Sequence, residues 1–266
     1  MNELRLAIVG ASGRMGQAVA RLAMNDPSIK IVGAVSGNED PALGRDIGEL
    51  VGLGTAGVEI TADLSSGLLG ANAVIEFSTV RAATEVFHSA ERSGIAVVSG
   101  TTNLDERALA ALDRAAQKIP VLWAPNMSLG VQVLAGLVEA AVKKLGLEFD
   151  VEIVETHHRR KIDAPSGTAI RLARAAQAAR SELVEIRSRD GEVGARQPNE
   201  LGMHAVRGGD VIGDHTVHLI GDSERLELTH RATNRDLFAR GAISAAKFLL
   251  GRPPARYTIQ DVVSGI

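Results

Sequence analysis

The chain has 266 residues, 45% of them hydrophobic and 3% aromatic, with no cysteine and a formal net charge of −3. That length accommodates one large domain or two smaller ones. The charge gives no reason to expect nucleic acid or a membrane surface as partner, and so few aromatics argue against a base-stacking platform. Without cysteine, disulfides, thiolate catalysis and Cys-ligated zinc are excluded.

Leu4–Val9 reads as a strand, too short for a signal-peptide core. It enters the turn Gly10-Ala11-Ser12-Gly13-Arg14-Met15-Gly16, and Gln17–Met24 then carries helical periodicity. In that setting the glycines read as a dinucleotide fingerprint. Gly10 permits the tight turn, Gly13 lets the backbone approach a pyrophosphate, and Gly16 lets helix and strand pack closely. The helix N-terminus would then face the phosphates. The spacing is G-x-x-G-x-x-G rather than the commoner G-x-G-x-x-G, and a structural βα turn without ligand is the plain alternative.

Further strands are expected at Ile29–Val35, Ala73–Ser78, Ile95–Ser99 and Pro120–Trp123, with helices at Val80–Arg92 and Asp105–Gln117. This alternation predicts an α/β fold, a Rossmann-type doubly wound parallel sheet with helices on both faces. Ligands of such sheets lie beyond the carboxyl ends of the strands. Three ends carry small polar loops, Glu76–Thr79, Gly100-Thr101-Thr102 and Ala124-Pro125-Asn126-Met127-Ser128, which with Gly10–Gly16 would form a cofactor rim. The second strand runs into Val35-Ser36-Gly37-Asn38-Glu39-Asp40. A dinucleotide site normally has an acid there for the ribose, or an arginine for a 2′-phosphate. Here the acids come late and no arginine precedes Arg45, so NADH and NADPH both stay open.

The texture changes after Asn126. Leu129–Leu145 reads as a helix, Phe149–Thr156 as a strand and Ser166–Arg180 as a helix; strands follow at His204–Arg207, His215–Ile220 and Arg225–His230. These predict a second, α+β domain with a mixed or antiparallel sheet, residues 128–237, inserted into a dinucleotide domain of residues 1–127 and 238–266. Helix Leu237–Leu250 and the terminal Tyr257–Val263 would return to the first domain. The polar stretch Arg187–Leu201 is expected to be a mobile loop. No apolar run approaches the ~20 residues of a spanning helix, and a cytoplasmic protein is expected.

The densest chemistry lies in His157-His158-Arg159-Arg160-Lys161-Ile162-Asp163-Ala164-Pro165-Ser166-Gly167-Thr168. Six of the seven histidines fall between His157 and His230. Histidine moves its proton near neutral pH, so His157 and His158 are candidate general acids. Adjacent strand residues face opposite ways, so both serve one pocket only if the strand ends there. Lys161 offers a cation for a carboxylate, or a proton. Ser166-Gly167-Thr168, opening a helix, offers hydroxyls and N–H groups to an anion. The bland alternative is a solvated basic loop with a serine N-cap. A zinc site from His204, His215 and His218 matches no ligand spacing, and no metal is expected.

The motifs G-x-x-G-R-M-G, G-T-T, A-P-N-x-S and E-x-H-H-x-x-K-x-D-x-P-S-G-T, with Arg207-Gly208-Gly209 and the run Arg231–Gly241, occur in order across essentially the whole chain. Together they resemble the 4-hydroxy-tetrahydrodipicolinate (dihydrodipicolinate) reductase family. The resemblance implies an oxidoreductase of the diaminopimelate route to lysine, using NADH or NADPH on a small dicarboxylate, and a homotetramer formed through the second domain's sheet. It implies His157 as proton donor or acceptor, Lys161 as proton donor, and His158, Gly167 and Thr168 as holders of substrate carboxylates. Gly10–Met15, Gly100–Thr102 and Ala124–Met127 would contact the cofactor. Arg235 stays open between anchoring substrate, cofactor or the domain hinge. Two rivals are an aspartate or homoserine dehydrogenase of similar plan, which has no need of the histidine-lysine block, and a non-catalytic nucleotide sensor, which needs no proton donors.

Overall fold

A computed structural model describes residues 3–265. In chain order the elements are β1 (Leu4–Val9), α1 (Arg14–Met24), β2 (Ile29–Val35), α2 (Ile47–Leu50), β3 (Ile60–Thr61), α3 (Leu64–Gly67), β4 (Ala73–Glu76), α4 (Val80–Ser93), β5 (Ala96–Ser99), α5 (Glu106–Ala115) and β6 (Pro120–Trp123). There follow α6 (Leu129–Leu145), β7 (Asp150–His157), α7 (Gly167–Ala179), β8 (Val184–Ile186), β9 (Glu200–Arg207), β10 (Gly213–Ile220) and β11 (Arg225–Ala232). The last are α8 (Asp236–Leu249), β12 (Ala255–Tyr257) and α9 (Ile259–Ser264). They form two compact units, Met1–Leu129 with Asp236–Ile266, and Gly130–Arg235.

In the first unit seven strands make one parallel sheet, ordered β12-β6-β5-β4-β1-β2-β3. Its strands are apolar on both sides because both faces are covered. Leu6 and Ile8 join Ile75, Val98 and Leu122 beneath α1 and α8, while Ala7 and Val9 join Val74, Val97 and Val121 beneath α4 and α5. Strand order reverses between β1 and β4, so the chain leaves these neighbours in opposite directions and opens a crevice at their carboxyl ends.

That crevice depends on two close backbone approaches. Gly10 has φ of +79°, and a Cβ there would sit 2.1 Å from the Phe77 carbonyl oxygen. A Cβ on Gly16 would sit 2.1 Å from the Gly10 oxygen, because α1 begins at Arg14, three residues before the expected start. Gly13 is the N-cap of α1, with no side-chain cap and no acid in the first turn. Neither the N-cap nor the helix's own first turn thus supplies an anion to those N–H groups.

The second unit carries a five-stranded mixed sheet, β11-β10-β7-β9-β8, in which β7, β9 and β8 run parallel and β10 and β11 antiparallel. Val151, Ile153, Leu201, Met203, Val217 and Leu219 pack on α6 and α7. The stretch Arg187–Leu201 is tied down rather than loose. Arg189 makes two 3.0 Å bonds to Glu152 and one of 2.8 Å to Glu200, and Arg196 bonds Glu152 and Asp150. Burial opposes charge on Glu152, yet Arg189, His204 and Arg196 pull its carboxyl down to about 2. The strand expected from His204 therefore starts at Glu200, anchored by this cluster.

Candidate active site

In the first unit the strand ends are knitted by a buried carboxylate. Glu76 accepts from the Ser78 N–H (2.6 Å) and from the Ser78, Ser99 (2.6 Å) and Thr101 (2.6 Å) hydroxyls, joining the ends of β4 and β5. The Trp123 indole donates to the Thr101 carbonyl at 2.8 Å, adding β6. Gly100 leaves room for Phe77, whose ring lies 2.0 Å from where a Cβ would be. Ala124 and Met127 are buried in the core, and a Cβ on Gly241 would strike the Met127 carbonyl. Asn126 accepts from the Ser128 N–H at 2.9 Å. A cavity of about 420 Å³ opens beside this rim, lined by Gly10, Ser12, Gly13, Ser36, Asp40 and Ser78 among others.

In the second unit the row of β7 side chains facing α6 and α7 runs Val151, Ile153, Glu155, His157, all buried. It is apolar for two positions and ionisable for two. Glu155, 1% exposed at its side chain, accepts a forked pair from Arg207 (2.8 Å each), the Ser166 N–H (3.1 Å) and His157 Nδ1. Burial opposes its charge, but Arg207 and His157 outweigh burial and hold the carboxyl below the ordinary range. A carboxylate only accepts, so Nδ1 of His157 carries the hydrogen and Nε2 is the free basic position. Burial lowers the His157 pKa, opposed by Glu155 and reinforced by the Lys161 and Arg207 charges. A Cβ on neighbouring Gly213 would lie 3.0 Å from Nε2, so the glycine keeps that edge clear.

The strand ends at His157, and His158 opens the turn with its N–H on the Val211 carbonyl at 2.7 Å. His158 Nδ1 is buried with no hydrogen-bond partner among the described residues. Lys161 lies against Asp163, 2.8 Å from each carboxylate oxygen. Ser166 caps α7 by accepting the Ala169 N–H at 3.2 Å, and its hydroxyl also meets His215 Nε2 at 2.9 Å. Against expectation, that hydroxyl is committed inside the protein. Gly167 and Thr168 form the first turn of α7, and nothing stands within 4 Å of a Cβ on Gly167. His204 and His218 bond Glu152 and Glu227, on the sheet face opposite His215. Among the described residues no group of three or more His, Asp or Glu side chains is arranged to hold a metal ion.

A family model described as "Dihydrodipicolinate reductase, N-terminus" matches residues 4–127, and one described as "Dihydrodipicolinate reductase, C-terminus" matches residues 130–263. The chain belongs to the dihydrodipicolinate reductase family. It is 43% identical over 262 residues to 4-hydroxy-tetrahydrodipicolinate reductase of Anaeromyxobacter dehalogenans, covering 97% of each chain. It is 42% identical over 265 residues to that of Methanopyrus kandleri, covering 98% of this chain and 96% of the relative. A dipicolinate-bound dihydrodipicolinate reductase from Paenisporosarcina shares the fold, with TM-score 0.77 and 23% identity over 96% of this chain and 97% of that one.

Four residues that line this cavity or join this cluster carry no assigned role from the sequence alone: Asp40, Glu155, Arg207 as a partner of Glu155, and His215. Glu155 was visible as a charged residue at a core-facing position of an alternating strand, a signal that calls for a partner. His215 sits on the same face, 3% exposed, its ring edge-on to His157 at 5.1 Å between centroids. Burial, helped by His157, pushes its imidazole down to about 4. A depressed folded pKa means the unfolded chain takes the proton first. Stability is then full above about pH 6.5 and falls toward about pH 4, by roughly 3 kcal/mol from this group. Urea unfolding across that range is expected to show the loss, and His215→Gln to flatten it. An unchanged slope in the variant would remove His215 as its source.

Proposed function

We propose that this chain reduces 4-hydroxy-tetrahydrodipicolinate to tetrahydrodipicolinate with NADH or NADPH, a step of the diaminopimelate route to lysine. The observation that carries the reading is the match of both halves of the chain to one reductase family. The first unit fits a dinucleotide on its own evidence: two glycines that tolerate no Cβ, an uncapped first helical turn, and a cavity at the strand switch point. Gly10, Ala11, Ser12, Gly13, Arg14 and Met15 would hold the phosphates, and Gly100–Thr102 with Ala124–Met127 the nicotinamide half. When bound, the reduced nicotinamide supplies hydride to the fourth ring carbon, after the ring hydroxyl has left as water.

In the second unit, His158, Gly167 and Thr168 would grip the two substrate carboxylates, with Ser166 holding the turn that presents them. Hydride addition leaves negative charge on the ring, and a fixed cation beside it stabilises that charge. Lys161 is the residue for this and for the proton donated to the ring. His157, neutral and held at Nδ1, accepts or passes a proton at Nε2. A homotetramer built on the second unit's sheet and a cytoplasmic location complete the reading. Among the described residues no helix is long and apolar enough to cross a membrane.

The test is absorbance of reduced nicotinamide on adding freshly generated 4-hydroxy-tetrahydrodipicolinate. Oxidation dependent on this substrate, with none on aspartate or homoserine, is expected. Turnover of either amino acid instead would replace the reading with that of a different dehydrogenase.

A further inference from the structure

The end of β2 is where a dinucleotide's adenosine ribose is read, and in this chain the strand itself ends without an acid or an arginine. The structure supplies an acid by another path. After Ser36 the chain runs through exposed Gly37, Asn38 and Glu39, then turns, with the Asp40 N–H on the Gly37 carbonyl (3.0 Å) and the Leu43 N–H on the Asp40 carbonyl (3.1 Å). The turn brings the Asp40 carboxylate back to the glycine-rich loop. One oxygen accepts the Ala42 N–H at 2.8 Å, and the other accepts the Ser12 hydroxyl. Buried Ser36 completes the link: its hydroxyl oxygen accepts the Ser12 N–H at 3.1 Å and lies 3.0 Å from the Ser12 hydroxyl. Asp40, Ser36, Ser12 and Gly10 therefore line one cavity.

The charges in that cavity have one sign to spare. The Ser12 hydroxyl and the Ala42 N–H hold the Asp40 carboxyl below the ordinary range, so it is anionic at neutral pH. Among the described residues no cation pairs with it. Of the lining residues only Arg81 is cationic; its side chain is largely exposed and lies 3.2 Å from Glu85, which also lines the cavity, so the lining carries two carboxylates against one cation. A ribose 2′-hydroxyl can donate to a carboxylate. A 2′-phosphate brings about two negative charges and no strong donor to the same place.

We infer that Asp40, held by Ser12 and Ser36, makes this chain discriminate against the 2′-phosphate and prefer NADH to NADPH. The inference rests on the reading of the first unit as a dinucleotide domain and adds the choice between cofactors.

The test is the dissociation constant of each cofactor for the purified protein, by nicotinamide fluorescence or calorimetry, with no substrate present. Wild type is expected to bind NADH about tenfold or more tighter than NADPH, and rising salt to narrow that ratio by screening. Asp40→Asn keeps the size and the acceptor for the Ala42 N–H, and should bring the two constants within about threefold of each other. Asp40→Ser with Gly37→Arg should go further and favour NADPH, since a side chain at Gly37 meets no atom within 4 Å. Equal affinities in wild type, or a ratio unmoved by Asp40→Asn, would overturn the inference and leave the dinucleotide reading standing. Binding of neither cofactor would overturn both.

Discussion

Lys161→Ala is expected to lower kcat by about 100- to 10,000-fold, the range for losing a positioned proton donor. His157→Ala should cost a comparable factor. In both variants the dissociation constant for the nicotinamide cofactor should stay within about twofold of wild type, since both residues belong to the second unit and a change that spares ground-state binding leaves affinity alone. Steady-state kinetics beside cofactor titration separate the two quantities. The expectation follows from how the groups are held. Lys161 is fixed by both oxygens of Asp163, and the His157 ring is oriented by a carboxylate that is itself clamped by Arg207. Unchanged turnover in both variants would remove these residues from the chemistry.

The second large effect is on stability. Glu155→Ala leaves the Arg207 guanidinium, His157 Nδ1 and the Ser166 N–H without their shared acceptor. Breaking a buried ion pair from one side costs about 3–5 kcal/mol. Arg207 keeps one-fifth of its side-chain exposure, so roughly 3 kcal/mol is the expected loss. Glu155→Gln keeps the shape but not the charge and should lose about half as much, near the value of a charged hydrogen bond. The acid limb carries the same signature. The folded pKa of Glu155 is depressed, so its contribution is present above about pH 4.3 and lost as pH falls through the folded value. Denaturant midpoints for wild type and both variants, at neutral and acid pH, measure this. A Glu155→Ala protein as stable as wild type would mean the clamp is not structural.

The parts legible in the sequence were those whose signal is local. The buried strands announce themselves because a sheet covered on both faces reads as short apolar runs, as in Leu4–Val9 and Ala73–Glu76. The glycine turn and the histidine-lysine block are contiguous, so their chemistry is readable before any folding. What was hidden is pairing across distance. Glu155 and Arg207 are 52 residues apart, and Ser166 and His215 are 49 apart. The register of β7 beside β9 brings the first pair together, and the packing of α7 on β7 and β10 brings the second. Asp40 was visible but looked too late in the chain to serve the β2 end, because nothing local says that the turn after Gly37 folds back. Short edge strands such as β8 and β12 carry too few residues for alternation to show. The terminal helix α9 did leave a mark, the Thr258 and Asp261 capping box, which sits at the boundary of that edge strand.

One measurement addresses the catalytic proposal directly: turnover of 4-hydroxy-tetrahydrodipicolinate with nicotinamide deuterated at its transferable position, read out by mass and proton spectra of the trapped product. One deuterium per molecule is expected at the fourth ring carbon, lost from the cofactor in equal amount. A product free of label, or a cofactor that keeps its deuterium while the substrate is consumed, would contradict it.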